Sequence, residues 1–369
     1  MLKTALHDAH VAAGARMVDF AGWSMPVVYS SITEEHHAVR NGCGVFDVSH
    51  MGRLKLTGKH ATDLLNHVCT RTLDPNAVGR CRYSLVCNEH GGTLDDVVVT
   101  RFDGHWGMVC NASNREKILA HLHKHAAGRD VRIEDQTPDT VMLAFQGPKT
   151  FEYAERLIPF ELPALKKWQA AVGSFMFMGY TLYRSGYTGE DGMEAVIGTM
   201  VATLGFKQVI GHTENGQPLV RPCGLGARDT LRIEAALPLY GHELSEEIDP
   251  LSAGLGWAVQ LDKPGFVGQE ALARIAANGP ARQLIGLELE GRRIARQDTP
   301  ILVDGRKVGH VTSGTLSPTL GISIAMGLVD RGEAENLPVD GAFGTAQVDL
   351  RGQLVPARRL ALPFYRRSS

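Results

Sequence analysis

From Gln283 onward the hydrophobic period of this 369-residue chain settles at two. QLIGLELEG, PILVDGRKVGHVTSG, GISIAMGLVD and TAQVDLRGQLVPARRLA alternate apolar and polar residues, with turn signals between them. Successive side chains of an extended strand point to opposite faces, so this pattern calls for strands with one buried face. Short strands at this spacing predict a small antiparallel barrel or sandwich.

Upstream, the pattern is mixed. The first 50 residues begin helically, and Ser31 or Thr33 is placed to cap a short helix, ITEEHHAVR, whose Glu34 and Glu35 suit its positive end. GRLKLTG reads as a strand and HATDLLNHVCT as a helix. RYSLVCNEHGGTLDDVVVTRFDGHWGMVCN reads as three strands joined by the turns NEHGG and FDGH, followed by a helix from Ser113 to Ala127. VRIEDQTPDTVMLAFQGP holds a further strand, and FEYAERLI and ELPALKKW are expected as short helical pieces. SFMFMGYTLYRSGYTGEDGMEAVIG reads as a hairpin with the loop GYTGEDG, and CGLGARDTLRIEAALP as a helix stopped near Pro238. The fold class is therefore α+β with an all-β C-terminal domain, and the length calls for more than one core.

Charge and motifs narrow the function. A net charge of −2 with a pI near 6.7 argues against a nucleic-acid surface. No run of 18 apolar residues suggests a membrane span, and the N-terminus lacks a signal-peptide core. The six cysteines form no C-x-x-C pair and read as reduced, mostly buried thiols of a cytoplasmic protein. There is no P-loop and no G-x-S-x-G elbow, and GLGARD supplies only two of the three glycines of a dinucleotide fingerprint. His121 and His125 sit four apart on one helix face, but no acidic or cysteine ligand accompanies them. They read as a solvated face near a helix end, and no metal is expected.

Three acidic or basic positions stand out. In GGTLDDVVVT, Asp95 and Asp96 fall on opposite faces of an extended strand, so they cannot serve one site as a close pair. A carboxylate on a largely apolar strand costs several kcal/mol, on the order known for buried charge, unless it is paired or hydrogen-bonded. A buried aspartate held by backbone N–H groups is the plain reading of either residue. In RSGYTGEDGMEAVI, Glu194 enters apolar surroundings, where it suits a ligand with adjacent N–H donors such as an amino-pyrimidine edge. A hairpin acid paired to a neighbouring Arg or Lys is the alternative. Arg228 shares a helix face with Leu231, Arg232 and Ala235, and either meets a substrate carboxylate, pairs with Asp96 or Glu194, or is an ordinary surface arginine.

VDFAGWSMPVVY, VFDVSHMG, NEHGGTLDDVVV, QGP, RSGYTGEDGMEAVI, GLGARDTLRIEAALPLYG, VTSGTLSPTLGISIAMGLV and the closing LPF, taken in order from about residue 4 to 365, resemble the glycine cleavage system T protein (aminomethyltransferase) family. The resemblance implies a three-domain, cloverleaf-like arrangement around a central folate cavity. Its segments would be residues 1–50 with 140–230, residues 51–139 with 231–274, and a barrel over residues 280–369. It implies transfer of the aminomethyl group from the dihydrolipoyl arm of a lipoylated carrier protein (H protein) to tetrahydrofolate, the co-substrate, giving 5,10-methylenetetrahydrofolate and ammonia. The family's functional acid aligns with Asp96. Its folate contacts align with Tyr83, Tyr187, Glu194 and Arg228, more loosely with Met51 and Trp257, and at the C-terminus with Tyr365 or Arg366. A local basic patch would dock the acidic carrier.

Two relatives of the same fold offer rival functions. A folate-binding iron–sulfur assembly factor carries a Lys-Gly-Cys-aromatic-x-Gly-Gln-Glu motif, whereas KPGFVGQE places Gly265 where its cysteine would stand. A folate-dependent demethylase acting on small sulfonium or methylamine compounds would differ only in pocket residues. A non-catalytic folate-binding scaffold is a third reading, against which Asp96, Glu194 and Arg228 stand together.

Overall fold

The computed structural model describes residues 1–158, 161–214, 216–263 and 265–367. The chain forms two compact units. The first comprises Met1–Leu65, Leu73–Tyr83 and Val97–Asp229, and the second Asn66–Thr72, Ser84–Asp96 and Thr230–Ser369. The strand Thr93–Phe102 and the helix Leu225–Glu234 each contribute residues to both.

The first unit is built on a six-stranded sheet. Its order is Ala170–Phe175, Met178–Tyr183, Gly192–Gly198, Thr140–Gln146, Gly44–Asp47 and Arg221–Pro222. Val45, Val141 and Leu143 of this sheet pack with Leu6, Ala9, Ala202 and Phe206. Each large side chain so buried contributes about 1.5–3 kcal/mol. Beside it, Val98–Phe102 pairs with His105–Cys110, which pairs with Gly52–Thr57, which pairs in turn with Arg132–Asp135. Cys81, Phe102, Ala170 and Tyr183 form the small core that joins the two sheets.

Most local expectations hold in this unit. Ser31 Oγ accepts the Glu34 N–H and caps the helix Ile32–Asn41, while Thr33 lies within it. Glu35 does more than suit the helix end. It is buried and accepts N–H groups from Tyr29 (2.6 Å), Ser30 (2.9 Å) and Gly224 (2.8 Å). ELPALKKW is not helical; residues 161–168 run as irregular chain. Pro163 removes a donor and pushes the preceding residue toward extended backbone, and one or two turns cannot repay nucleation without a cap.

The second unit contains a closed six-stranded antiparallel barrel, as the two-residue period predicts. Its order is Arg282–Leu289, Ser323–Asp330, Arg306–Leu316, Pro300–Val303, Ala346–Leu350 and Gln353–Leu360. Ile285, Leu287, Ile301, Val311, Val329 and Val348 fill its core. Within this unit Arg232 is buried between Glu243 (2.9 Å from Nη1) and Ser313 Oγ (2.6 Å from Nη2). Within KPGFVGQE, Lys263 and Gly265 are tied down by hydrogen bonds, and Gln269 opens the helix Gln269–Asn278. Lys263 Nζ donates to the carbonyls of Cys69 (2.7 Å) and Arg71 (2.9 Å), and Gln269 bonds to Gly265 N–H and to the carbonyls of Leu261 and Lys263. Gly265 has φ +72°, a conformation that glycine adopts freely and a cysteine would not. All six cysteines are buried, and none forms a disulfide. No helix is long and apolar enough to cross a membrane among the described residues.

Candidate functional site

The loop carrying Tyr187 is held from two sides. Gln146, at the end of its strand, donates to the Ser185 carbonyl (3.1 Å) and accepts from Thr188 Oγ1 (2.9 Å). Arg40, from the capped helix, donates to the Thr188 carbonyl and to Glu190, each at 2.8 Å. Gly186 allows this close approach, because a Cβ there would sit 1.9 Å from Gln146 Oε1. The loop is therefore preorganised by groups far away in sequence.

The three acids of the hairpin divide by partner. Glu190 is buried against Arg40, and Asp191 pairs with Arg184 at 2.5 Å. Glu194 lies between Ala144 and Tyr183 in the sheet and accepts a 2.5 Å hydrogen bond from Ser185 Oγ. The paired-acid reading thus holds for Glu190 and Asp191. It fails for Glu194, whose partner is a hydroxyl and whose charge is left without a salt bridge among the described residues.

Arg228 lies with its guanidinium 4.5 Å from the centre of the Tyr187 ring, a cation–π stack. Its Nη1 is shut off from solvent and has no hydrogen-bond partner among the described residues. Burial lowers its pKa, while Tyr187 and Glu194 act to raise it. The surface-arginine reading is wrong, and no salt bridge between Arg228 and Glu194 forms among the described residues. The structure brings Tyr187, Glu194 and Arg228 together.

A tight turn in the same unit holds a buried histidine. Met51 N–H donates to the Val48 carbonyl (3.0 Å), and Arg53 reaches back to the carbonyls of Ser49 and Met51. Between those fixed residues, His50 is 3% exposed, and its Nδ1 has no partner among the described residues. Burial pushes its pKa down to about 4, helped by the charges of Arg228 and Arg53 and opposed by Asp47, so the ring is neutral at pH 7. Tyr83, in the strand Cys81–Cys87, belongs to the same unit and is half-buried.

Asp96, Trp257 and Arg366 belong to the second unit. The burial along Thr93–Phe102 separates the adjacent acids as alternation predicts, with Asp95 at 0% exposure and Asp96 half-buried. Trp257 is 59% exposed on a short 3-10 turn. Tyr365 is anchored through its N–H to the Glu234 carbonyl (2.8 Å), and Arg366 beyond it is exposed. His121 and His125 are half-buried with ring centroids 4.6 Å apart, contrary to the solvated face expected of them. No group of three metal-ligating side chains occurs among the described residues.

The GCVT N-terminal domain family matches residues 6–263, and the glycine cleavage T-protein C-terminal barrel domain family matches residues 282–366. The chain belongs to the glycine cleavage T-protein family. It is 44% identical to the aminomethyltransferase of Exiguobacterium sibiricum over 99% of this chain and 98% of that protein. It is 43% identical to that of Moorella thermoacetica, again over 99% of this chain and 98% of the other. The crystal structure of glycine cleavage system aminomethyltransferase T from Bartonella henselae matches with a TM-score of 0.89 at 31% identity, covering 98% of both chains. The chain is accordingly an enzyme of the aminomethyltransferase class.

Sequence reasoning missed Ser185, whose hydroxyl donates to Glu194. Ser185 stands in a quoted motif, but nothing local says that its hydroxyl turns toward Glu194.

Proposed function

We propose that this T-protein-family enzyme transfers the one-carbon unit of an S-aminomethyldihydrolipoyl carrier protein to tetrahydrofolate, yielding 5,10-methylenetetrahydrofolate, ammonia and the dihydrolipoyl carrier. The observation that carries the reading is the triad of Glu194, Tyr187 and Arg228. It combines an acceptor carboxylate without a salt bridge, an aromatic ring stacked on a guanidinium, and a buried donor without a partner. That set complements a planar heterocycle with N–H donors on one edge and a carbonyl acceptor on another, which a reduced pterin provides.

In this reading Glu194 holds the pterin N–H edge, Arg228 donates to an acceptor on the ligand, and Met51, Tyr83 and Tyr187 pack the ring. Trp257 and Arg366 are further folate contacts. Asp96 is the catalytic acid–base group. As N5 and N10 of the folate close on the carbon, both surrender a proton. One ends on the departing sulfur and one on the departing amine, so a positioned carboxylate that accepts and returns a proton lowers both barriers. The carrier protein docks through its acidic surface on basic residues.

The test is an anaerobic assay with aminomethylated lipoyl carrier protein and tetrahydrofolate, following methylenetetrahydrofolate and ammonia in equal amounts. Turnover only of a free methylated sulfonium or amine would move the enzyme to the demethylase relatives.

A further inference from the structure

We infer that Glu35 and Arg40, on the one helix Ile32–Asn41, are positioning residues that hold the two partners of the Tyr187–Arg228 stack in place for binding; this rests on the folate reading above. Every group concerned belongs to the first unit. The Ser31 cap fixes where the helix starts, and Glu35 and Arg40 fall on its buried side, at 0% and 3% exposure. Burying an acid and a base is costly unless hydrogen bonds and counter-charges compensate each of them. Here those bonds lead to two distant segments, and each segment carries one half of the stack.

Glu35 serves the Arg228 half. Its Oε2 accepts the Gly224 N–H (2.8 Å), its Oε1 accepts from Tyr29 and Ser30, and the Cys223 thiol donates to its carbonyl (3.6 Å). The Gly224 carbonyl in turn accepts the Arg228 N–H (3.2 Å), at the first turn of the helix Leu225–Glu234. Glu35 therefore fixes the turn from which Arg228 projects. Arg40 serves the Tyr187 half. Its Nη1 donates to the Thr188 carbonyl and to Glu190, each at 2.8 Å, so the residue directly after Tyr187 is tied to the same helix. The guanidinium and the ring meet at 4.5 Å, a separation that only the relative placement of the two segments can set. Holding both from one rigid element orders the stack before the ligand arrives, which lowers the entropy lost on binding.

Double-variant cycles separate positioning from a general structural role. Arg40→Met removes both bonds to the loop, whereas Arg40→Lys keeps a donor and a charge beside Glu190. Glu35→Gln keeps the size but turns an NH2 group toward one of the N–H donors. Isothermal titration with tetrahydrofolate provides the readout, at a temperature where circular dichroism shows each variant folded. Tyr187→Ala and Arg40→Met are each expected to raise the dissociation constant about 10-fold, with Arg40→Lys regaining part of the loss. Glu35→Gln is expected to raise it a few-fold. Because each residue acts through its half of the stack, Arg40→Met should add less than about two-fold in a Tyr187→Ala background, and Glu35→Gln likewise in an Arg228→Leu background. If Arg40→Met does not fold, Arg40→Lys carries the same cycle, and its smaller loss should vanish in the Tyr187→Ala background. Losses that multiply in the double variants would assign the helix to general stability and overturn the proposal. If Tyr187→Ala weakens binding but the Arg40 and Glu35 variants bind as wild type, the positioning inference falls alone. If Tyr187→Ala and Arg228→Leu both bind as wild type, or wild type does not bind, the folate reading falls and takes the inference with it.

Discussion

His10 and His50 lie in the same compact unit, both almost wholly out of solvent, and they are treated in opposite ways. His10 Nε2 is 2.8 Å from Asp47 Oδ2, and its Nδ1 is 2.8 Å from the Tyr29 hydroxyl. A carboxylate only accepts, so Nε2 donates to Asp47 and a neutral ring accepts the tyrosine proton at Nδ1. Thr4 Oγ1 and Ser49 complete the shell of Asp47. Burial alone would raise the Asp47 pKa, but the His10 and Ser49 hydrogen bonds hold it below its ordinary value. Every polar atom of that network has a partner within the protein. Elsewhere in the unit, among the described residues, Glu194 has no salt bridge and Arg228 Nη1 no hydrogen-bond partner. The first arrangement holds the fold together, and the second is where the proposed ligand would bind.

The adjacent acids differ in burial, Asp95 fully buried and Asp96 half-buried, and give the largest expected effect. Asp96→Asn should slow aminomethyl transfer by about 10²–10⁴-fold while tetrahydrofolate still binds, as removal of an acid–base group does. Asp95→Asn should leave the rate constant near wild type and lower stability by about 1–3 kcal/mol. Single-turnover kinetics combined with denaturant melts check both. Equal loss of rate in two stable variants would break the division between faces.

Breaking the satisfied network should be costly in stability. Asp47→Ala strands His10, Thr4 and Ser49 in the interior and should destabilise the protein by about 3–5 kcal/mol in urea melts. A native-like melt would contradict the structural role. The pH dependence has a defined sign. The folded-state pKa lies below the unfolded value near 3.8, so the Asp47 contribution is present above that pH and is lost as pH falls through it. Wild type should therefore lose more stability than Asp47→Ala between pH 5 and pH 3.

Ser185→Ala should have the smallest effect. Losing one hydroxyl that orients Glu194 should raise the dissociation constant for tetrahydrofolate a few-fold, about 1 kcal/mol, with no change in melting. A wild-type constant would show that Glu194 needs no such support.

What was legible in the sequence follows from range. The Ser31 cap, the GYTGEDG hairpin and the barrel strands are set by neighbours a few residues apart, and each is where local pattern put it. The failures are of two kinds. ELPALKKW had helix-forming residues but also Pro163 and no cap. The surroundings of Glu194, Arg228 and His50 depend on which distant segments meet. Arg228 stacks on a ring forty-one positions away, and Gln146 pins a loop thirty-nine residues further on. Period and propensity do not contain that information. The resemblance named candidate residues without showing how the fold surrounds them.

The account rests on the claim that Glu194, its charge unneutralised by any salt bridge among the described residues, is a ligand-binding group. Isothermal titration of tetrahydrofolate into Glu194→Ala tests this most directly. The predicted result is a dissociation constant raised about 10–100-fold over wild type, as loss of a charge-assisted bidentate contact implies, with an unchanged thermal midpoint. A wild-type dissociation constant would contradict it.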